Sequence, residues 1–225
     1  MAAMPDRDDS HWVRWHQPYE DPASPLSLRL LLVQSMVGGV LDAAGPGPIR
    51  VVSLCAGQGR DVIDVVAGHP RGSDVAALLV ELDPVLVASA RDRAAAAGVA
   101  GLVTVVEGDA ALARICAGSV PAHLVLVCGL FGNITEGDIA ATVAAMPGFC
   151  APGASVVWTR HRRPPDATPW IRGLFSSAGF EEVAFEAPPE PYVLGVGWHR
   201  LLVAPAPFDP GARLFEIVGD GARPA

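Results

Sequence analysis

The stretch that decides the fold is VVSLCAGQGRD, residues 51–61. Its apolar, β-branched start is typical of a buried strand, and a second apolar segment begins directly after two closely spaced glycines. Because glycine lacks a β-carbon, a turn at Gly57 and Gly59 lets a bulky ligand approach the backbone, where the first N–H groups of a following helix are free to bind it. A tight turn without a ligand has the same sequence, so this motif needs support from elsewhere in the chain.

Strand and helix patterns alternate on the carboxyl side of this turn. Strands are predicted at residues 49–54, 74–82, 102–106, 123–127 and 154–159. Helix N-caps are predicted at Ser24 and Asp83, each followed by a first-turn proline, and at Thr135, and a further helix is predicted to open at Thr168-Pro169. The helix capped by Thr135 is expected to run to Met146 and to end at Pro147-Gly148. Repeated β-α units imply right-handed crossovers, and therefore a parallel sheet with helices on both faces.

The last two predicted strands need a different connection. Residues 180–187 and 192–204 are separated by about four residues, which cannot hold a crossover helix. We therefore expect an antiparallel hairpin at one edge of the sheet. The 225 residues divide into an aromatic-rich segment or lid at 1–25, one domain at 26–204, and a Pro/Gly-rich tail at 205–225. Within the tail, residues 213–218 could add a short edge strand or contact a partner.

Composition narrows the class of protein. A formal net charge of -8 argues against a surface that binds duplex nucleic acid, and 51% hydrophobic residues exclude wholesale disorder. The start of the chain is acidic and polar, unlike a signal peptide, and the apolar runs are shorter than the roughly 20 residues of a bilayer span. We expect a cytoplasmic protein with no membrane contact, with four free cysteines and no metal site, because neither Cys nor His residues have ligand spacing.

Two acidic residues follow strands that neighbour the glycine turn. Glu81 ends the second strand, 22 positions after Gly59, where a carboxylate can accept hydrogen bonds from the hydroxyls of a ribose. Asp109 follows the third strand, where it can accept from an adenine amino group. Asp83 is better explained as the cap of the next helix. Each acid could instead be a solvated strand end or an ordinary turn residue.

Taken together, these segments and the terminal hairpin resemble the class I S-adenosylmethionine-dependent methyltransferases over roughly residues 26–204. The resemblance implies a single Rossmann-like α/β domain whose seven-stranded, mostly parallel sheet has the order 3-2-1-4-5-7-6. It also implies S-adenosylmethionine as cofactor and S-adenosylhomocysteine as product. The cofactor site that it implies consists of Ser53, Cys55, Ala56, Gly57, Gly59, Asp61, Glu81, Leu82, Gly108, Asp109, Ala110, Cys128 and Gly129.

The chain departs from the family pattern in two places. Ser53 and Cys55 stand where the first motif often has an acid and a glycine, and His123 stands where the fourth strand commonly starts with aspartate. Ser53 has no carboxylate for the cofactor's ammonium group. Asp61, contacts from Arg60 or carbonyls near Cys128 are expected to replace it.

Three other functions remain open. The first is a nicotinamide-dependent reductase, but Val62 is bulky where such a turn needs a small residue, and a hairpin replaces the second nucleotide-binding half. The second is a protein that binds the cofactor or its product without turnover. The third is a methyltransferase that acts on RNA or protein.

The acceptor site is less defined, because methyl transfer requires alignment more than a particular catalytic side chain. His161 and His16 are the candidate bases. Aromatic and polar side chains before the first helix and after strands four and five are candidates for substrate binding, and the arginines among them favour an anionic small molecule. These are Trp12, Trp15, Tyr19, Phe131, Asn133, Arg160 and Arg162. A packed N-terminal strap and a solvated basic loop are the alternatives. We expect a monomer or homodimer.

Overall fold

Seven strands form one sheet in the order β3-β2-β1-β4-β5-β7-β6, in a computed structural model that describes residues 17–189 and 191–218. The first five strands are parallel, and β7 lies antiparallel between β5 and β6. This arrangement confirms the predicted fold, including the terminal hairpin. The strands are β1 Ile49–Leu54, β2 Val75–Glu81, β3 Val103–Glu107, β4 Ala122–Val127, β5 Cys150–His161, β6 Phe180–Glu186 and β7 Leu194–Leu201.

Within the described residues, five α-helices cover both faces of the sheet: α1 Pro25–Ala43, α2 Arg60–Gly68, α3 Pro84–Ala96, α4 Glu136–Phe149 and α5 Thr168–Ser177. One apolar core joins the sheet to α1, α2 and α3, and a second joins its other face to α4 and α5. Three of the predicted N-caps are confirmed, since the side chains of Ser24, Asp83 and Thr135 each accept a backbone N–H of the first turn.

The predicted end of α4 at Pro147-Gly148 is wrong, because the helix continues to Phe149. Pro147 is buried in the last turn, where its missing N–H removes the bond to the preceding Val143 carbonyl and the helix ends at Phe149. Gly148 does not end the helix; it allows the C-terminal chain to pack against it. A β-carbon there would stand 3.1 Å from the Pro207 carbonyl oxygen, so the glycine lets the C-terminal chain cross closely.

Helix α1 is long and apolar enough to cross a membrane by length and composition alone, a property that the sequence analysis did not find in any apolar run. The helix has 19 residues, and its most apolar 18-residue window has a mean hydropathy of 1.4. Val33, Val37 and Leu41 are buried in the core beside the sheet. In the fold this apolar face serves as a packing surface.

The chain after β7 returns across the carboxyl edge of the sheet. We call residues 212–218 the C-terminal strap. Its contact with the residues after β3 includes one isolated antiparallel bridge, between Leu112 and Arg213, so the predicted short edge strand is reduced to that bridge. Leu214 and Phe215 are buried in the core that contains α4 and α5.

Candidate active site

A cavity of about 320 Å³ opens at the carboxyl ends of β1, β2, β3 and β4. Parallel strands of this topology leave a crevice where β1 and β4 diverge, and ligands of open α/β sheets bind there. The lining residues come from the N-terminal turn and α1, from the segments that follow β1, β2, β3 and β4, and from the strap. They are Tyr19, Arg29, Cys55, Ala56, Gly57, Asp61, Glu81, Leu82, Asp83, Leu86, Asp109, Ala110, Cys128, Gly129, Leu130, Asn133, Phe215 and Ile217.

The turn after β1 has an unusual backbone. Cys55, Gly57 and Gly59 all have positive φ, at 53°, 56° and 69°. Glycine accepts this conformation readily, whereas a cysteine there is uncommon and strained. The turn presents Cys55, Ala56 and Gly57 to the cavity, as predicted for a site where the backbone approaches a ligand.

Glu81 ties the turn after β1 to the end of β2. Its Oε2 accepts the Gly57 N–H at 2.8 Å, and its Oε1 accepts the N–H groups of Leu82 at 2.8 Å and Asp83 at 2.9 Å. Burial raises the pKa of Glu81 above its ordinary value, against the lowering effect of those three backbone N–H groups. Oε1 is already saturated, so Oε2 is the atom with remaining capacity to accept from a ligand.

Asp109 lines the cavity from the loop after β3, next to Gly108, whose N–H donates to the Glu81 carbonyl at 2.9 Å. Asp109 Oδ1 accepts the Ala111 N–H at 2.9 Å, and its Oδ2 lies 3.4 Å from Arg213 Nη1 on the strap. Leu82, which also lines the cavity, is 64% exposed although it is a large apolar residue. A flat ligand in this part of the cavity would cover that exposed apolar surface.

The other end of the cavity holds a cation and a carboxylate. Arg29, from the second turn of α1, donates to the Tyr19 hydroxyl. The Tyr19 ring also lies 5.2 Å from the Arg60 guanidinium, and burial raises the Tyr19 pKa to about 12. Burial likewise raises the pKa of Asp61, while nearby Arg29 lowers it, and the Cys128 thiol donates to this carboxylate. Burial raises the pKa of Cys128 well above its ordinary value, so this sulfur is a thiol and a poor nucleophile.

Three residues of the predicted cofactor set do not line the cavity. Ser53 is buried within β1. Gly59 faces the core, because a β-carbon there would meet the Ile63 and Leu79 side chains at 2.6 and 2.7 Å. A β-carbon at Gly108 would stand 2.2 Å from the Ile115 side chain. Both glycines permit close packing behind the site.

The predicted acceptor residues fall into different environments. Asn133 lines the cavity and donates to the Gly129 carbonyl at 2.6 Å, whereas Phe131 is fully buried against Trp158. Arg160, at the end of β5, donates to the Phe131 carbonyl at 2.8 Å. Arg162 pairs with Asp166 at 3.2 Å.

A β-carbon at Gly132 would stand 3.3 Å from Arg160 Nη1 and 3.6 Å from His161 Cδ2. The end of β5 is therefore adjacent to the loop that follows β4. The predicted roles of Trp12, Trp15 and His16 lie outside the described residues.

Sequence reasoning missed six lining residues: Arg29, Asp83 as a wall residue, Leu86, Leu130, Phe215 and Ile217. Arg29 carried a signal, since it is the lone cation within the apolar pattern of α1. A charge on such a helix needs a partner or a polar cavity. Phe215 and Ile217 carried no such signal, because nothing in the sequence of a Pro/Gly-rich tail indicates which part of the sheet it packs against.

Comparisons with known protein sequences identify two matches. A family model described as "Putative methyltransferase" matches residues 30–178. The Escherichia coli K12 protein YnbC, described as uncharacterized, is 26% identical over 175 residues, which is 71% of this chain and 29% of YnbC, so the chain spans less than a third of that relative.

Two solved structures share the fold. Magnesium protoporphyrin IX methyltransferase from Synechocystis, crystallised with bound S-adenosylmethionine, is 13% identical with a TM-score of 0.68, covering 89% of this chain and 100% of its own. An O-methyltransferase family protein from Burkholderia thailandensis is 17% identical with a TM-score of 0.60, covering 88% of this chain and 65% of its own.

Proposed function

We propose, since the chain belongs to the methyltransferase family whose model spans residues 30–178, that it transfers a methyl group from S-adenosylmethionine to a small-molecule acceptor. S-adenosylmethionine is the cofactor and S-adenosylhomocysteine is the product. The observation that carries the proposal is the cavity itself, which joins the glycine turn, the two carboxylates and a cation at the carboxyl edge of the sheet.

The residues present fit an adenosine. Glu81 Oε2 accepts only the Gly57 N–H among the described residues, so it can accept one ribose hydroxyl in addition. Asp109 and the exposed Leu82 both line the cavity, which supports a role for Asp109 in accepting from the adenine amino group and for Leu82 as an apolar surface against the ring. From its position in the sequence, Glu81 is expected to accept from both ribose hydroxyls. The saturated Oε1 favours a single strong contact.

The residues at the other end fit an amino acid. A guanidinium binds a carboxylate with two parallel hydrogen bonds, and a carboxylate pairs with an ammonium group. Arg29 and Asp61 therefore form a complementary pair for the α-carboxylate and α-ammonium groups of the methionine part. Asp61 supplies the acid that is missing at Ser53.

Methyl transfer from a sulfonium requires that donor and acceptor are aligned and that water is excluded. An acceptor atom attacks the methyl carbon, and the carbon–sulfur bond breaks with its electron pair going to sulfur, which becomes the neutral thioether of the product. The protein lowers the barrier by holding donor and acceptor in line and by keeping water away from the reacting atoms. A base is needed only when the acceptor carries a proton at the working pH.

An anionic acceptor is the substrate class that we favour. Arg160 is half-buried at the end of β5, and its Nη1 binds the Phe131 carbonyl in the loop that follows β4. A guanidinium in this position could bind a carboxylate or phosphate of the acceptor through its accessible N–H groups. His161 is the neighbouring candidate base, and Arg162 is already engaged with Asp166.

Turnover with a methyl-labelled cofactor tests this function. The protein is incubated with S-adenosylmethionine and panels of small carboxylates, phenols and amines, in parallel with bulk RNA and with a protein extract, and S-adenosylhomocysteine is quantified. We expect turnover with a small acid and a lower rate for Arg160→Gln. Transfer only to RNA or protein would overturn the small-molecule assignment, and tight cofactor binding with no turnover on any panel would favour a binding protein.

A further inference from the structure

The cavity is completed by residues that lie outside the segment matched by the family. The family model ends at residue 178, yet Phe215 and Ile217 line the same cavity as Glu81 and Asp109. These two residues belong to the C-terminal strap, which is 30 or more positions further along the chain. The wall that they form therefore lies outside the segment that the family model matches.

The strap is fixed to the two loops that flank the cavity. On the β3 side, the Leu214 N–H donates to the Ala111 carbonyl at 2.8 Å, and the Ala113 N–H donates to the Ala212 carbonyl at 3.1 Å. On the β4 side, the Val218 N–H donates to the Asn133 carbonyl at 2.8 Å. The strap thus spans from one loop to the other, above the space between them.

A side chain of α4 and the apolar core also hold the strap in place. The Thr142 hydroxyl on α4 donates to the Leu214 carbonyl at 3.0 Å, within the core. Phe215 is only 3% exposed, so its position is set by packing and does not depend on a ligand. Ile217 is 41% exposed although it is a large apolar residue beside the cavity, and this is surface that a ligand would cover.

We propose that the C-terminal strap forms the outer wall of the adenine subsite, with Phe215 and Ile217 as its apolar surface and Arg213 as the partner that orients Asp109. The proposal rests on the proposed function, because it names the subsite of the same cofactor. The strap borders the cavity beside Asp109, Ala110 and Asn133, whereas the Arg29 and Asp61 pair belongs to the methionine end. A purine is flat and apolar on both faces, so an apolar wall suits it.

Two ligands separate the adenine subsite from the methionine subsite. S-adenosylhomocysteine fills both, whereas 5′-methylthioadenosine has no amino-acid part. Dissociation constants for both are measured by calorimetry with wild type, Ile217→Ser and Arg29→Gln. The control is Val183→Ser, since Val183 is also 41% exposed but lies on β6, at the far edge of the sheet.

We expect Ile217→Ser to weaken both ligands by the same factor, about tenfold, from the loss of about two buried carbon groups. Arg29→Gln should weaken S-adenosylhomocysteine and leave 5′-methylthioadenosine unchanged, and Val183→Ser should change neither. The folded state of each variant is checked by its thermal midpoint.

Unchanged affinity of Ile217→Ser for both ligands would overturn the strap proposal while leaving the proposed function intact. A loss confined to S-adenosylhomocysteine would move the strap to the methionine end, and so would also refute it. Failure of the wild-type protein to bind either ligand would overturn the proposed function and the strap proposal together.

Discussion

Replacing Glu81 with glutamine should weaken both the fold and the cofactor site, because this carboxylate serves both. Its oxygens accept three backbone N–H groups, from Gly57, Leu82 and Asp83, and Oε2 retains the capacity to bind a ribose hydroxyl. A glutamine has the same shape but only one oxygen. The better orientation keeps that oxygen toward Leu82 and Asp83 and turns the amide N–H₂ toward the Gly57 N–H.

The magnitude follows from the hydrogen bonds lost. The Gly57 N–H loses a charge-assisted partner and faces another donor, and the two remaining bonds become neutral. A hydrogen bond to a charged group contributes about 1.5–3 kcal/mol, so we expect the free energy of unfolding to fall by about 2–3 kcal/mol. The ribose hydroxyl loses its acceptor at the same atom, which should weaken S-adenosylhomocysteine by roughly 10-fold to 100-fold.

Two measurements on one variant, compared with a matched control, test this reasoning. Urea unfolding gives the stability, and calorimetry gives the dissociation constant for S-adenosylhomocysteine. Glu107→Gln is the control, because Glu107 pairs in register with Glu81 at the end of β3 but is exposed and outside the cavity. The control should resemble wild type. Wild-type stability and affinity in Glu81→Gln would refute the assigned role of this carboxylate.

Two further predictions concern the core around Trp158. Gly197→Ala should destabilise the protein by about 1–3 kcal/mol in urea unfolding, because the new β-carbon would stand 2.4 Å from the buried Trp158 ring. The control Gly173→Ala should be neutral or slightly stabilising, because a β-carbon there meets no neighbouring group within 4 Å. Equal stabilities of the two variants would refute the packing argument. Burial lowers the pKa of His199 from 6.5 to about 4, so between these values the unfolded chain binds a proton that the folded protein excludes, and stability should fall by about 3 kcal/mol as pH drops through this window. His199→Gln should lose this part of the pH dependence in unfolding curves at pH 6.5 and pH 4, and an unchanged pH dependence would contradict the assignment.

The sheet was predictable because its signals are local. An apolar strand followed by a capped helix indicates each β-α unit, and the short Pro-rich link before β7 allows only a hairpin. Glu81 and Asp109 were predictable for the same reason, since a polar residue directly after a buried parallel strand must lie at the carboxyl edge. The predicted glycines were less informative, because Gly59 and Gly108 relieve packing behind the cavity.

The missing parts of the site depend on tertiary contacts. Arg29 reaches the cavity because α1 packs beside the turn after β1, a relation between segments that periodicity does not encode. The strap reaches it through hydrogen bonds to Ala111 and Asn133, which lie far from it along the chain. Likewise, α4 passes through Pro147 because the C-terminal chain packs on its last turn, and local propensity alone predicts a stop there.

The central claim is that this crevice binds an adenosine joined to methionine. Calorimetric titration of the wild-type protein with S-adenosylmethionine, S-adenosylhomocysteine and NAD, under matched conditions, tests it most directly. The account predicts one site per chain for each of the first two ligands and no binding of NAD. Binding of NAD with no heat from either methionine derivative would contradict it.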